Sequence, residues 1–127
     1  MAEEIRKKIL IVEDNKDFLF ILRQSLSMED FSVVYALDGE EGLVMAETEK
    51  PDLIILDILL PKMDGITVAK KLKEKGANSQ IIFLTDFKDA EHISNAVDAV
   101  KDTDYIVKSD LRIEDIVARI KNKLNAK

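Results

Sequence analysis

The sequence predicts an α/β domain, a five-stranded parallel sheet with helices on both faces, and three observations lead there. Short apolar runs recur along the chain, most without apolar–polar alternation, as strands buried on both faces require. Segments with helical spacing of apolar residues separate them. Each gap between runs is long enough for a crossover helix, and right-handed crossovers distribute helices over both faces.

Taken in order, ILIV (9–12) is the first strand, and residues 16–28 follow as a helix with Phe18, Ile21, Leu22 and Leu26 on one face. FSVVYA (31–36) is the second strand, and residues 39–49 carry Leu43, Val44 and Ala46 as its crossover helix. LIIL (53–56) is the third strand. The helix over 65–75 presents Ile66, Ala69 and Leu72, and Gly76 is placed to stop it. IIFL (81–84) is the fourth strand, followed by a helix over 89–100 built on Ile93, Ala96, Val97 and Val100. YIV (105–107) is the fifth. The helix over 112–124 has the clearest apolar stripe: Ile113, Ile116, Val117, Ile120 and Leu124. With no linker or low-complexity tract, residues 1–127 are expected to form a single domain.

Bulk composition narrows the function classes. A net charge of −6 argues against nucleic acid or anionic membrane as the direct partner, and no Lys/Arg block of nucleic-acid type occurs. No apolar run approaches the ~20 residues of a membrane span, and MAEEIRKK has no signal-peptide pattern, so a cytoplasmic location is expected. Without cysteine there is no disulfide, thiolate metal site or thiol nucleophile.

The polar residues that follow the strands are more informative. Ligands of open α/β sheets bind beyond the carboxyl ends of the strands. There the sequence sets Glu13 and Asp14 after the first strand, Asp57 after the third, Thr85 and Asp86 after the fourth, and Lys108 after the fifth. Each alone has a plain reading: an acid or a threonine behind a strand often caps the next helix, and a lysine is often a solvated charge. Capping does not predict a lone lysine facing a carboxylate cluster.

Charge then dictates chemistry. Glu13, Asp14 and Asp57 cannot crowd together as anions without a compensating cation. Hard carboxylate oxygens suit Mg²⁺, which is bound through one or two carboxylates with water and phosphate oxygens. With Lys108 and Thr85 available for the remaining phosphate oxygens, the set reads as a carboxylate nucleophile, Asp57, within an electrostatic site for phosphoryl transfer.

ILIVEDN (9–15), LIILDILLPKMDG (53–65), LT (84–85) and YIVK (105–108) stand in the order and spacing of the receiver domain of bacterial two-component response regulators, which the whole chain resembles. The resemblance implies the flavodoxin-like strand order 2-1-3-4-5. It implies Asp57 as phosphoacceptor, Asp14 as a direct Mg²⁺ ligand and Glu13 acting on the metal largely through water. The Leu59 carbonyl would complete the protein ligands and Lys108 would pair with the phosphate. Thr85 would be the switch hydroxyl and Tyr105 the switch aromatic.

The implied partners are a sensor histidine kinase or histidine phosphotransfer protein, and a downstream protein. The latter would dock on the face made by the helix at 89–100, the fifth strand and the last helix; a homodimer formed on phosphorylation is a further expectation. The function expected is a stand-alone, phosphorylation-controlled module that catalyses its own labelling rather than turning over an external substrate.

The sequence departs from the family pattern at several positions. Asp86 adds a carboxylate where a small residue is usual, and Lys108 precedes Ser109 where the family has proline, so a trans bond is expected there. DAVKDTDY (98–105) lacks the usual glycine, and Leu59 and Phe87 are apolar at positions that tune phosphoryl loss. These departures lend weight to an alternative, a pseudo-receiver that binds partners without phosphorylation. An aspartyl phosphohydrolase is disfavoured because Leu59 stands where its acid/base aspartate would be. His92 reads as a plain surface residue. No glycine-rich nucleotide loop is present.

Overall fold

The computed structural model describes residues 6–86, 100 and 103–125. Its elements are β1 (Lys8–Val12), α1 (Lys16–Ser27), β2 (Ser32–Ala36), α2 (Gly39–Glu49), β3 (Leu53–Asp57), α3 (Gly65–Glu74), β4 (Gln80–Thr85), β5 (Thr103–Val107) and α4 (Ile113–Asn125), with a 3₁₀ turn at Lys108–Asp110. The strands form one parallel sheet in the order β2-β1-β3-β4-β5, as the resemblance implied. The helix expected over 89–100 lies outside the described residues except for Val100, as do Phe87 and His92.

Alternation within the unbroken apolar runs explains the two faces. Successive strand side chains point to opposite sides. Leu10, Val12, Ile54, Leu56 and Phe83 pack with Ala46 of α2 and Val68, Ala69 and Leu72 of α3. Ile9, Ile11, Leu53, Ile55 and Leu84 pack with Leu22 and Leu26 of α1 and Ile116 and Ile120 of α4. Burying a side chain of this size contributes about 1.5–3 kcal/mol, so truncating a fully buried one such as Phe83 to alanine would cost about 3–5 kcal/mol.

Helix ends follow their local signals. Asn15, Asp38 and Asp64 cap α1, α2 and α3, each accepting a backbone N–H through its side chain. Gly76, at φ +79°, ends α3 as expected. Four strands run longer than the apolar runs suggested, because polar flanks still join the ladder: Lys8 pairs with Ser32, Asp57 with Leu84, Gln80 with Leu53, and Thr103 with Ile81. No cis peptide bond occurs among the described residues, so Lys108–Ser109 is trans.

Candidate functional site

Strand order creates the site. The chain leaves β1 toward β2 on one side and β3 toward β4 on the other, so the loops after β1 and β3 diverge and open a crevice between them. Glu13 and Asp14 follow β1 directly, while Asp57 is the last residue of β3, paired in register with Leu84. Alternation turns Glu13 inward, where it is 0% exposed, and leaves Asp14 open to solvent.

The loop after Asp57 is held in place from both ends. The Ile58 N–H donates to the Leu84 carbonyl at 3.0 Å, the Gly65 N–H donates to the Ile58 carbonyl at 2.8 Å, and the Gly39 N–H donates to the Pro61 carbonyl at 3.1 Å. A Cβ on Gly65 would lie 2.1 Å from the Asp57 carbonyl oxygen, so only glycine lets α3 start this close behind the aspartate. Asp64 caps that helix through the Thr67 N–H at 2.9 Å and its hydroxyl at 2.8 Å. The D-x-x-x-P-x-x-D-G spacing thus encodes a fixed aspartate, a return loop and a capped helix.

Lys108, at the start of the 3₁₀ turn, completes the cluster. Its Nζ lies 2.5 Å from Glu13 Oε1 and 3.1 Å from Asp57 Oδ2, with only 11% of its side chain exposed. The Asp57 contact is a directed hydrogen bond; the closer approach to Glu13 is an ion pair without hydrogen-bond geometry. The other oxygens are also engaged: Glu13 Oε2 accepts the Asn15 N–H at 2.9 Å, and Asp57 Oδ1 accepts the Leu59 N–H at 3.1 Å.

The electrostatics show strain. Burial pushes the Glu13 carboxyl up to about 7 despite the close Lys108 ammonium and the hydrogen bond from the Asn15 N–H, and the Asp57 charge pushes the same way. For Lys108, burial alone would lower the ammonium, but Glu13 and Asp57 outweigh it and hold the value raised. One lysine among three acids leaves net negative charge in a crevice, which a divalent cation would offset.

The donor set fits such an ion. One carboxylate oxygen from each of Glu13, Asp14 and Asp57 lies within 4.8 Å of the others. All are hard oxygen ligands, and Asp14 reaches solvent, from which the ion's remaining waters would come.

The crevice encloses about 480 Å³ and is lined by Glu13, Asp14, Asp57, Leu59, Asp86 and Lys108 together with Asn15, Phe18 and Ser109. Asp57 is 6% exposed, near the mouth rather than sealed. Thr85, 1% exposed, sits at the end of β4 behind this lining. Tyr105 is not at the crevice: it lies on β5 opposite Phe83 with 39% of its surface exposed. The helix at 89–100, part of the expected docking face, lies outside the described residues.

Two lining residues have roles at the site that the sequence alone does not announce. Asn15 both caps α1 and donates to Glu13, and Phe18 had been assigned to the core face of α1. The signal available was position: a residue in the first turn of a helix that starts directly behind an acidic pair stays beside that pair.

Comparison with known proteins places this arrangement. The response regulator receiver domain matches residues 9–121. The alkaline phosphatase synthesis transcriptional regulatory protein PhoP of Bacillus subtilis is 47% identical over 81 residues, covering 64% of this chain and 34% of that protein. The probable transcriptional regulator ycf27 of Cyanophora paradoxa is 38% identical over 119 residues, covering 94% of this chain and 48% of the relative. Among solved structures, a CheY-like response regulator receiver domain protein from Methanospirillum hungatei superimposes with a TM-score of 0.86 at 31% identity, covering 95% of each chain. The chain spans about half the length, or less, of the curated relatives it matches. With the family model matching residues 9–121 and the fold shared with a solved receiver domain, the chain belongs to the response regulator receiver domain family.

Proposed function

We propose that Asp57 accepts a phosphoryl group from the phosphohistidine of a sensor histidine kinase or phosphotransfer protein. The observation that carries this reading is the crevice itself: a near-buried aspartate hydrogen-bonded to a buried lysine, with two further carboxylates in reach of one cation. A carboxylate oxygen of Asp57 attacks phosphorus, the P–N bond breaks, and the imidazole leaves with the electron pair and takes a proton. Mg²⁺ would be held by Asp14, Asp57 and the Leu59 carbonyl, with Glu13 acting through water, and would offset the negative charge that meets there. Lys108 and the Thr85 hydroxyl bind the transferred group's oxygens.

The downstream step is a two-state shift. Phosphorylation adds about one further negative charge and new acceptor oxygens. A charge-assisted bond from Thr85 contributes about 1.5–3 kcal/mol, which shifts a two-state equilibrium by about 10- to 150-fold. Thr85 and Tyr105 carry that shift to the face around β5 and α4, where a downstream protein or a second copy docks. Leu59, exposed beside Asp57, shields the acyl phosphate from water and slows its loss. The module labels itself and turns over no external substrate; no observation favours the phosphorylation-independent alternative.

The test is intact mass after incubation with acetyl phosphate. One phosphate should be gained in Mg²⁺ and none after chelation, and Asp57→Asn should abolish the gain. Undiminished labelling of Asp57→Asn would overturn the assignment. Amide shifts on beryllofluoride binding should reach from Thr85 through residue 108; shifts confined to the Asp57 loop would overturn the propagated switch.

A further inference from the structure

We propose that Phe18 is a positioning residue for Lys108, its ring face forming the third wall of a clamp that aims the ammonium at Asp57. The inference rests on the phosphoacceptor reading above and adds a residue to it. Lys108 Nζ stands 5.0 Å from the centroid of the Phe18 ring, inside the range of a cation–π contact. The same ring lines the crevice. The contact is more than incidental proximity because Phe18 is tied to the same carboxylate that binds the lysine. Asn15 Oδ1 accepts the Phe18 N–H at 3.1 Å, the Asn15 N–H donates to Glu13 Oε2 at 2.9 Å, and Glu13 Oε1 contacts Lys108. Glu13, Asn15, Phe18 and Lys108 thus close a circuit in which the helix cap fixes the backbone that carries the ring and the ring stands beside the ammonium.

The physical reason for an aromatic wall is the imbalance of the two carboxylates. Glu13 holds Lys108 closer than Asp57 does, at 2.5 against 3.1 Å. Unopposed, that draws the ammonium away from the acceptor. A ring face attracts a cation without a directional bond or a competing formal charge. The ammonium therefore keeps all its donors for Glu13, Asp57 and incoming phosphoryl oxygens, and can move between them across the ring. The simpler reading of Phe18 is as the margin of the α1 core face, against which it also packs. Leucine would serve that role equally well and would not serve the clamp.

The experiment compares wild type, Phe18→Leu and Phe18→Tyr, alone and with Lys108→Ala. In metal-free protein, the Lys108 side-chain proton signals should be displaced upfield by the ring in wild type and Phe18→Tyr. They should return to ordinary lysine positions in Phe18→Leu. With Mg²⁺ and acetyl phosphate, Phe18→Leu should label about 3- to 30-fold more slowly and Phe18→Tyr within about twofold of wild type. In the Lys108→Ala background, Phe18→Leu should make no further difference. Unchanged Lys108 signals in Phe18→Leu, or an equal loss in the Lys108→Ala background, would overturn the clamp while leaving Asp57 as acceptor. Absence of labelling in wild type would instead overturn the phosphoacceptor reading, and the positioning role with it.

Discussion

Both ends of the sheet are rich in charge, but they handle it in opposite ways. At the amino end a groove of about 780 Å³ runs between the ends of α2 and α3. There Lys8 pairs with Glu49 at 2.9 Å and Lys75 with Glu47 at 3.0 Å, both in contact with water. Asp52 accepts the Lys8 N–H, and the buried Ser79 hydroxyl donates to the Pro51 carbonyl. At the carboxyl end the cavity is smaller, about 480 Å³, yet the buried Glu13 and near-buried Asp57 share a single lysine, with Asp14 beside them at the solvent edge. Cavity size alone would choose the wrong end. A charge imbalance maintained in a near-buried place has to be compensated by something that arrives, whereas neutral surface pairs need nothing further.

The sharpest way to break this contrast is to remove one lysine from each end. Lys108→Ala leaves Glu13 and Asp57 without their cation and should cost about 3 kcal/mol at pH 8 in denaturant unfolding of metal-free protein. Because burial has already raised Glu13 to about 7, it takes up a proton as pH falls, and the loss should shrink toward pH 5. Lys75→Ala, at an exposed pair, should change stability by no more than about 0.5 kcal/mol at either pH. Equal losses from the two variants would erase the distinction.

Glycines extend the comparison. Gly65→Ala drives a Cβ into the Asp57 carbonyl and should cost about 1–3 kcal/mol and slow labelling, because the loop behind Asp57 must shift. Gly76→Ala meets no atom within 4 Å, so only its left-handed φ is penalised, by about 1 kcal/mol, with labelling unaffected. Thermal unfolding beside acetyl phosphate labelling separates the two.

Mg²⁺ should stabilise through the carboxyl end alone. At tenfold its Kd the ion should contribute about 1.4 kcal/mol to wild-type unfolding, and Asp14→Ala should remove that gain. Asp52→Ala, at the amino end, should leave it intact.

The smallest effect concerns a carboxylate of the carboxyl end that capping alone explains. Burial, the largest single influence, raises the Asp64 carboxyl, but hydrogen bonds from the Thr67 N–H and hydroxyl and from neighbouring backbone together outweigh it and hold the value below the ordinary 3.8. A depressed carboxylate contributes stability that is present above its unfolded value and lost as pH falls through the folded one. Asp64→Ala should therefore cost about 1 kcal/mol at pH 7, with the gap to wild type closing as pH falls below about 3.8, and Mg²⁺ affinity unaltered.

Much of this was legible before any coordinates. The hydrophobic runs specify strands because burial on both faces leaves no room for polar alternation, and Asp57 directly after LIIL stands out by the cost of a carboxylate at a core edge. Capping asparagine and aspartates mark helix starts through local hydrogen bonds that need no tertiary contact. The meeting of Glu13, Asp14, Asp57 and Lys108 at one end of the sheet could likewise be anticipated, since each stands at the end of a strand or within two residues of it.

Only the tertiary structure decided how those groups divide their contacts. No sequence spacing says that Glu13 and Asp57 share Lys108, or that Glu13 holds the ammonium closer than Asp57 does. Nor does it say that Tyr105 faces outward, or that Phe18 lays its ring beside the lysine. Strand and cap preferences are local, fixed within a few residues by backbone and side-chain chemistry. A shared ammonium is placed by segments far apart in the chain, and their meeting depends on strand order, the register of β1 and β3, and a glycine that lets α3 close behind Asp57.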